Sequence, residues 1–87
     1  MTTNLDRARW GEQCVELFTE LTGADTPEDQ VSDLIADLGH YCDTSRLAFL
    51  DLLIRAIQAW HVEKIDPDYF GDNPKVVITI NNESIQS

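Results

Sequence analysis

The chain has 87 residues, 43% of them apolar, and its sixteen acidic against six basic side chains give a formal charge of −10 at pH 7. This length allows one domain at most, and the apolar fraction argues against wholesale disorder. The charge argues against direct binding to nucleic acid or anionic lipid and favours a basic partner. No apolar run reaches the roughly 18 residues of a membrane span, and residues 1–10 lack the apolar stretch of a secretory signal, so we expect a cytoplasmic protein.

The first helix is predicted over residues 5–22, because apolar residues recur there at the three- and four-residue spacing of one helical face. Thr3 and Asp6 are spaced as a capping box, and Gly23 is a plausible end of the helix. The predicted apolar face consists of Trp10, Cys14, Leu17, Phe18 and Leu21.

Two further helices are predicted downstream. In the second, over residues 27–42, Thr26 can cap and Pro27 suits the first helical position. The third, over residues 45–64, follows the cluster Asp43-Thr44-Ser45, which is typical of a helix N-terminus. Its apolar arc is wide, and Trp60 lies on it, as Trp10 does on the first helix. We therefore expect both tryptophans in the core.

Residues 75–80 are rich in β-branched side chains and predict a strand, after a turn-rich connector over residues 66–74. The polar tail 81–87 is expected to fray. A lone strand must find a partner edge for its backbone: in a second copy, in the sheet of another protein, or in an extended piece near residues 1–4. An extended apolar segment lying across the helices is the alternative. The residues expected to pair are Val76, Ile78 and Ile80.

Together these elements predict a mainly α fold, a three-helix bundle with a short C-terminal β-strand. The helical domain is expected over residues 1–74, and the strand and tail over residues 75–87.

The clearest chemical pattern is a pair of acid ladders, each with carboxylates at i, i+4 and i+8 on a predicted helix. Between residues 11 and 45 there is no Lys or Arg. The acids of each ladder therefore lack the stabilising ion pairs that basic residues four positions away would form on a helix. Antiparallel packing could join both ladders into one acidic face; a merely solvated helix surface is the alternative. The expected partner-binding residues are Glu12, Glu16, Glu20, Asp29, Asp33 and Asp37.

Other chemistry finds little support in the sequence. Paired carboxylates on neighbouring helices hold Mg²⁺ in all-α nucleotide pyrophosphohydrolases, but usually as Glu-x-x-Glu, whereas three residues separate the acids here. His40 and His61 lie near helix C-termini, where capping or packing is the expected role. Cys14 and Cys42 are expected to be reduced core residues, with a disulfide as the alternative. We therefore expect no catalytic residues, no metal and no cofactor.

The stretch DLIADLGHYCD at residues 33–43, followed by Phe49 and by AWHVE at residues 59–63, resembles small proteins of bacterial plasmids and phages. In size and acidity the chain is similar to anti-CRISPR and anti-restriction proteins, several of which imitate DNA. The resemblance implies an acidic inhibitor that is not an enzyme and that binds the basic nucleic-acid groove of a CRISPR or restriction complex. The alternatives are a homodimeric regulatory protein paired through its strand and a Mg²⁺-dependent pyrophosphohydrolase.

Overall fold

The computed structural model describes residues 1–68, 71 and 73–86, and it confirms a mainly α fold with three helices and a C-terminal strand. The elements are α1 (Asn4–Thr22), α2 (Pro27–Thr44), α3 (Phe49–Ile65), β1 (Val77–Ile80) and β2 (Glu83–Gln86). Two compact units divide the chain: α1 and α2 lie in the first (Thr3–Leu47), while α3 and both strands lie in the second (Ala48–Ser87). In the described residues, no helix is both long and apolar enough to cross a bilayer.

Helix α1 ends at Thr22 as predicted and begins at Asn4, one residue before the predicted start, and both of its caps are the ones that the sequence indicates. Thr3 Oγ1 accepts a hydrogen bond from the Asp6 N–H at 3.1 Å, and Asp6 Oδ2 accepts one from the Thr3 N–H at 3.0 Å. This reciprocal pair is a capping box, and it satisfies donors that have no partner inside the helix. Gly23 ends the helix in the left-handed conformation, and its N–H donates to the Thr19 carbonyl oxygen.

Helix α2 begins as predicted but runs two residues further than expected. Thr26 Oγ1 accepts from the Asp29 N–H at 3.1 Å, and Pro27 occupies the first turn. At the other end, Arg46 takes the left-handed position at φ 59, and the Leu47 N–H donates to the Cys42 carbonyl oxygen at 2.8 Å. That hydrogen bond spans five residues and is the one that defines a Schellman motif.

The predicted start of the third helix at residue 45 is wrong. Thr44 Oγ1 donates to the Tyr41 carbonyl oxygen, and the Ser45 N–H donates to the same oxygen, so both residues complete the end of α2. Helix α3 instead begins at Phe49, after an N-cap Ala48 that has no side chain able to cap. The polar residues Thr44 and Ser45, which predicted the start of a helix, therefore lie at the C-terminal end of α2.

The sequence predicts a lone strand and a frayed tail, and both predictions are wrong. In the structure β2 pairs with β1 in an antiparallel hairpin, so the tail is ordered up to Gln86. The turn residues Asn81 and Asn82 have φ values of 50° and 70°. Positive φ at both positions is typical of a two-residue type I′ turn, whose twist matches that of the strands. The predicted connector includes Tyr69, Phe70 and Asp72, which lie outside the described residues, as does Ser87.

Few large side chains are buried within either unit. Phe18 and Cys42 are the buried apolar side chains of the α1–α2 unit, and Ile54 is that of the second unit, in the described part of the chain. In the second unit α3 contacts both strands, and the cross-strand pair Ile78 and Ile85 is half-buried. The α1–α2 unit therefore has very little apolar core of its own.

Candidate partner-binding surface

The first acid ladder lines an open groove in the α1–α2 unit. Glu12, Glu16 and Glu20 project from successive turns of α1, and all three are exposed. Four residues at about 1.5 Å rise separate neighbouring carboxylates by roughly 6 Å along the helix axis. The groove is lined by Glu12, Val15, Glu16, Thr19, Glu20 and Gln30.

Helix α2 contributes Gln30 to this groove. Its side-chain amide donates to the Ala24 carbonyl oxygen at 3.3 Å, which holds the amide beside the loop between the two helices. The sequence reasoning missed Gln30, Val15 and Thr19 because they carry no charge. A weak signal existed for Val15 and Thr19, which lie three residues after Glu12 and Glu16 and therefore on nearly the same side of α1.

The second ladder does not line this groove. Asp29, Asp33 and Asp37 are exposed on one stripe of α2, yet none of them is among the groove residues in the described part of the chain. Asp29 also has a local role, since acids in the first turn complement the positive end of the helix dipole. The structure therefore assembles three of the six predicted partner-binding residues along one groove.

A resident metal site has no ligand set in the described residues. No three His, Cys, Asp or Glu side chains there lie close enough together to hold one ion.

Two of the three residues expected to pair with another strand have strand partners within the chain. Ile78 faces Ile85 and Ile80 faces Glu83 across the hairpin, while Val76 lies just before β1. The hypothesis of dimerisation through β1 depended on a strand without a partner edge, and β2 supplies that edge.

Three residues predicted to be buried are exposed. Trp10 and Trp60 are each more than half exposed, and Cys14 is an exposed free thiol, whereas Cys42 is a buried free thiol as expected. Lys64 Nζ lies 3.9 Å from the centre of the Trp60 ring, so this tryptophan makes a cation–π contact at the surface. His40 and His61 are also exposed.

Comparison of the chain with models of known protein families, with curated proteins and with solved structures finds no match. The case for a function therefore depends on the groove and on the distribution of charge.

Proposed function

We propose that the chain is an acidic interaction module of mobile-element origin that inhibits a nucleic-acid-binding complex of the CRISPR or restriction type. Its acidic groove binds the basic surface on which that complex holds nucleic acid. The observation that carries the proposal is the alignment of Glu12, Glu16 and Glu20 along one open groove, in a stretch without any Lys or Arg between residues 11 and 45.

The spacing of the carboxylates supports this choice of partner. Charges about 6 Å apart along α1 are separated by a distance of the order of the phosphate spacing along one strand of nucleic acid. An Arg- and Lys-lined channel that accepts phosphates can therefore accept the same number of carboxylates. Arginine is favoured at such contacts because its planar guanidinium binds carboxylate and phosphate in the same bidentate geometry.

No Lys or Arg between residues 11 and 45 neutralises the groove from within that stretch. A Lys four residues from each Glu would gain about 0.2–0.5 kcal/mol per pair, whereas the like charges that stand there cost a similar amount. Binding to a basic partner converts this repulsion into attraction, and the net charge of −10 accelerates the encounter.

The test is capture of partners from a bacterial lysate by the tagged full chain, at low and at high salt, with mass spectrometry of what is recovered. We expect a nucleic-acid-binding complex that is released at high salt and displaced by added DNA or RNA. Recovery of no such complex, or of one that nucleic acid does not displace, would contradict the proposal.

Charge reversal then locates the surface. The triple variant Glu12→Lys, Glu16→Lys and Glu20→Lys should weaken binding by about 100-fold or more, since each lost contact also becomes repulsive. The matched control reverses the exposed acids Asp43, Asp68 and Glu83, which changes the net charge equally at other places.

Equal weakening by both triple variants would show that net charge alone matters and that the groove has no special role. A third variant that reverses Asp29, Asp33 and Asp37 measures the second ladder. We expect a smaller effect from it than from the first ladder, because those residues do not line the groove. Circular dichroism of each variant checks that helicity is retained.

A further inference from the structure

Helix α1 carries an exposed apolar stripe on a side away from the acidic groove. Trp10, Cys14, Leu17 and Leu21 are spaced four, three and four residues apart, which is the spacing of the a and d positions of a coiled-coil seam. Trp10 is 55% exposed, Leu17 58% and Leu21 76%, and Cys14 is exposed as well. In a coiled coil this seam is the part of the helix that is covered.

Helix α2 carries a second stripe of the same kind. Val31, Ile35 and Leu38 follow the same alternation of four and three residues, and they are between 42% and 49% exposed. Tyr41, which follows Leu38 by three residues, is 60% exposed. Each helix of the α1–α2 unit thus presents a seam that stays about half exposed or more, apart from a somewhat more covered Ile35.

The exposed apolar area of the two stripes together is close to the lower limit of what one partner contributes to a stable dimer. An aromatic side chain offers about 150–250 Å² and a large aliphatic one on the order of 100 Å², so seven that are 42–76% exposed present on the order of 500–600 Å². A standard interface covers about 600–1,000 Å² on each partner, and the largest apolar patch of a monomer is about 300–600 Å². The seven side chains are Trp10, Leu17, Leu21, Val31, Ile35, Leu38 and Tyr41.

We infer that a second copy of this chain covers the two stripes, so that two helices from each copy surround a shared apolar core. The buried Phe18 and Cys42 alone are a small core for a pair of helices, and small helical units commonly obtain the rest by association. The surface differs from the β1 strand considered above, and the inference does not rest on the acidic groove.

The distribution of charge along α1 is compatible with a second copy as the occupant. Between Trp10 and Leu21 no charged residue occupies a seam position; Glu12 and Glu16 fall at outer positions of the heptad, and Glu20 flanks the seam. Two copies that meet through their seams therefore keep the carboxylates of Glu12 and Glu16 in solvent. The remaining repulsion between two chains of charge −10 is long-ranged, so salt screens it.

The dimer and the proposed function consequently respond to salt in opposite directions. Salt weakens binding of the acidic groove to a basic partner, but it strengthens an apolar contact between two acidic chains. Loss of one property without the other therefore shows which of the two ideas has failed.

The experiment is sedimentation velocity of the full chain from micromolar to several hundred micromolar, at low salt and at about 0.5 M salt, where the Debye length is below about 5 Å. We expect twice the monomer mass at the higher concentrations and a lower Kd in high salt. A chain that stays monomeric at every concentration in both buffers would overturn the inference.

Substitutions at Leu17 and at Leu5 provide a matched pair of variants. Leu5 is 60% exposed and lies on α1 outside the seam, so Leu5→Glu adds the same charge at the same exposure as Leu17→Glu. Leu17→Glu should raise the Kd of the dimer by at least about 100-fold, because it buries an unpaired charge. Leu5→Glu should change the Kd by less than about three-fold. Equal effects of the two variants would overturn the inference.

If Leu17→Glu does not fold, the wild-type chain still decides the question through Cys14. Iodoacetamide should alkylate Cys14 several-fold more slowly at high than at low protein concentration, as read by mass spectrometry of the labelled peptide. A rate that does not depend on protein concentration would overturn the inference. Protection that appears only when a lysine-rich amphipathic helical peptide is added would assign the stripe to another partner and would also overturn it.

Discussion

The side-chain amide Nε2 of Gln58 donates a hydrogen bond of 2.9 Å to the carbonyl oxygen of Pro74, sixteen residues further along the chain. Gln58 lies within α3 and is only 7% exposed, although glutamine is usually a surface residue. This hydrogen bond offsets the free-energy cost of burying the polar amide. The bond joins α3 to the segment that leads into β1.

We predict that Gln58→Leu lowers the free energy of unfolding by about 1–2 kcal/mol, because the Pro74 carbonyl loses its donor while it stays partly buried. The matched control is Gln30→Leu, which removes a longer amide-to-carbonyl bond of 3.3 Å at a less buried site. That variant should cost less than about 0.5 kcal/mol. Urea denaturation measures both, and equal losses would show that burial of the Gln58 bond has no special value.

The N-terminus of α3 can be improved. Ala48 has the extended backbone of an N-cap, at φ −81 and ψ 90, but no side-chain oxygen to accept from the first turn. Ala48→Ser supplies that oxygen, so it should raise the free energy of unfolding by about 0.5–1 kcal/mol. The rise is expected in thermal or urea denaturation.

Ser45 provides the comparison, because it lies where the sequence predicts the start of the third helix. In the structure the Ser45 N–H bonds to the Tyr41 carbonyl oxygen and its side chain caps no helix start. We therefore expect Ser45→Ala to change stability by less than about 0.5 kcal/mol. A loss near 1 kcal/mol from Ser45→Ala, with no gain from Ala48→Ser, would restore the sequence-based start of α3.

Local signals explain which parts of the fold could be predicted. Thr3, Thr26 and Gly23 act on backbone groups within four residues, so their sequence context suffices to place the ends of α1 and the start of α2. Thr44 and Ser45 are equally polar, but whether they end one helix or begin the next depends on Arg46 adopting a left-handed conformation. Nothing in an arginine indicates that conformation.

Partners that lie further apart could not be read from the sequence. The segment of β2 is mostly polar and becomes a strand because β1 is beside it; the pair Asn81-Asn82 was the available signal of a hairpin. For the acid ladders, helical periodicity fixes which residues share a stripe of one helix. It does not fix how a stripe faces the neighbouring helix, so the sequence could not separate the ladder that lines the groove from the one that does not.

The hairpin turn leads to a prediction about the C-terminal residues. Asn82→Gly should stabilise the chain by about 0.5 kcal/mol, because Asn-Gly is the preferred pair for a type I′ turn and φ is already 70°. Asn82→Pro forces φ to about −65° and should open the hairpin. Cross-strand contacts between Ile78 and Ile85 in nuclear Overhauser spectra report the result. If these contacts persisted in Asn82→Pro, the turn would not require a positive φ at residue 82; if they were absent from the wild-type chain, the tail would be frayed, as the sequence alone suggested.

The end of α2 gives the last prediction, at Arg46. A non-glycine residue in the left-handed conformation costs about 1–2 kcal/mol, whereas glycine loses about 0.5–1 kcal/mol more entropy on folding than alanine. The balance predicts that Arg46→Gly is more stable than Arg46→Ala by about 0.5–1 kcal/mol. Both variants remove the same positive charge, so their difference isolates the backbone term at φ 59. Urea denaturation at matched protein concentration measures it. If the alanine variant were as stable as the glycine variant, the α2 C-terminus would not end in the Schellman motif that the hydrogen bond from the Leu47 N–H to the Cys42 carbonyl oxygen defines.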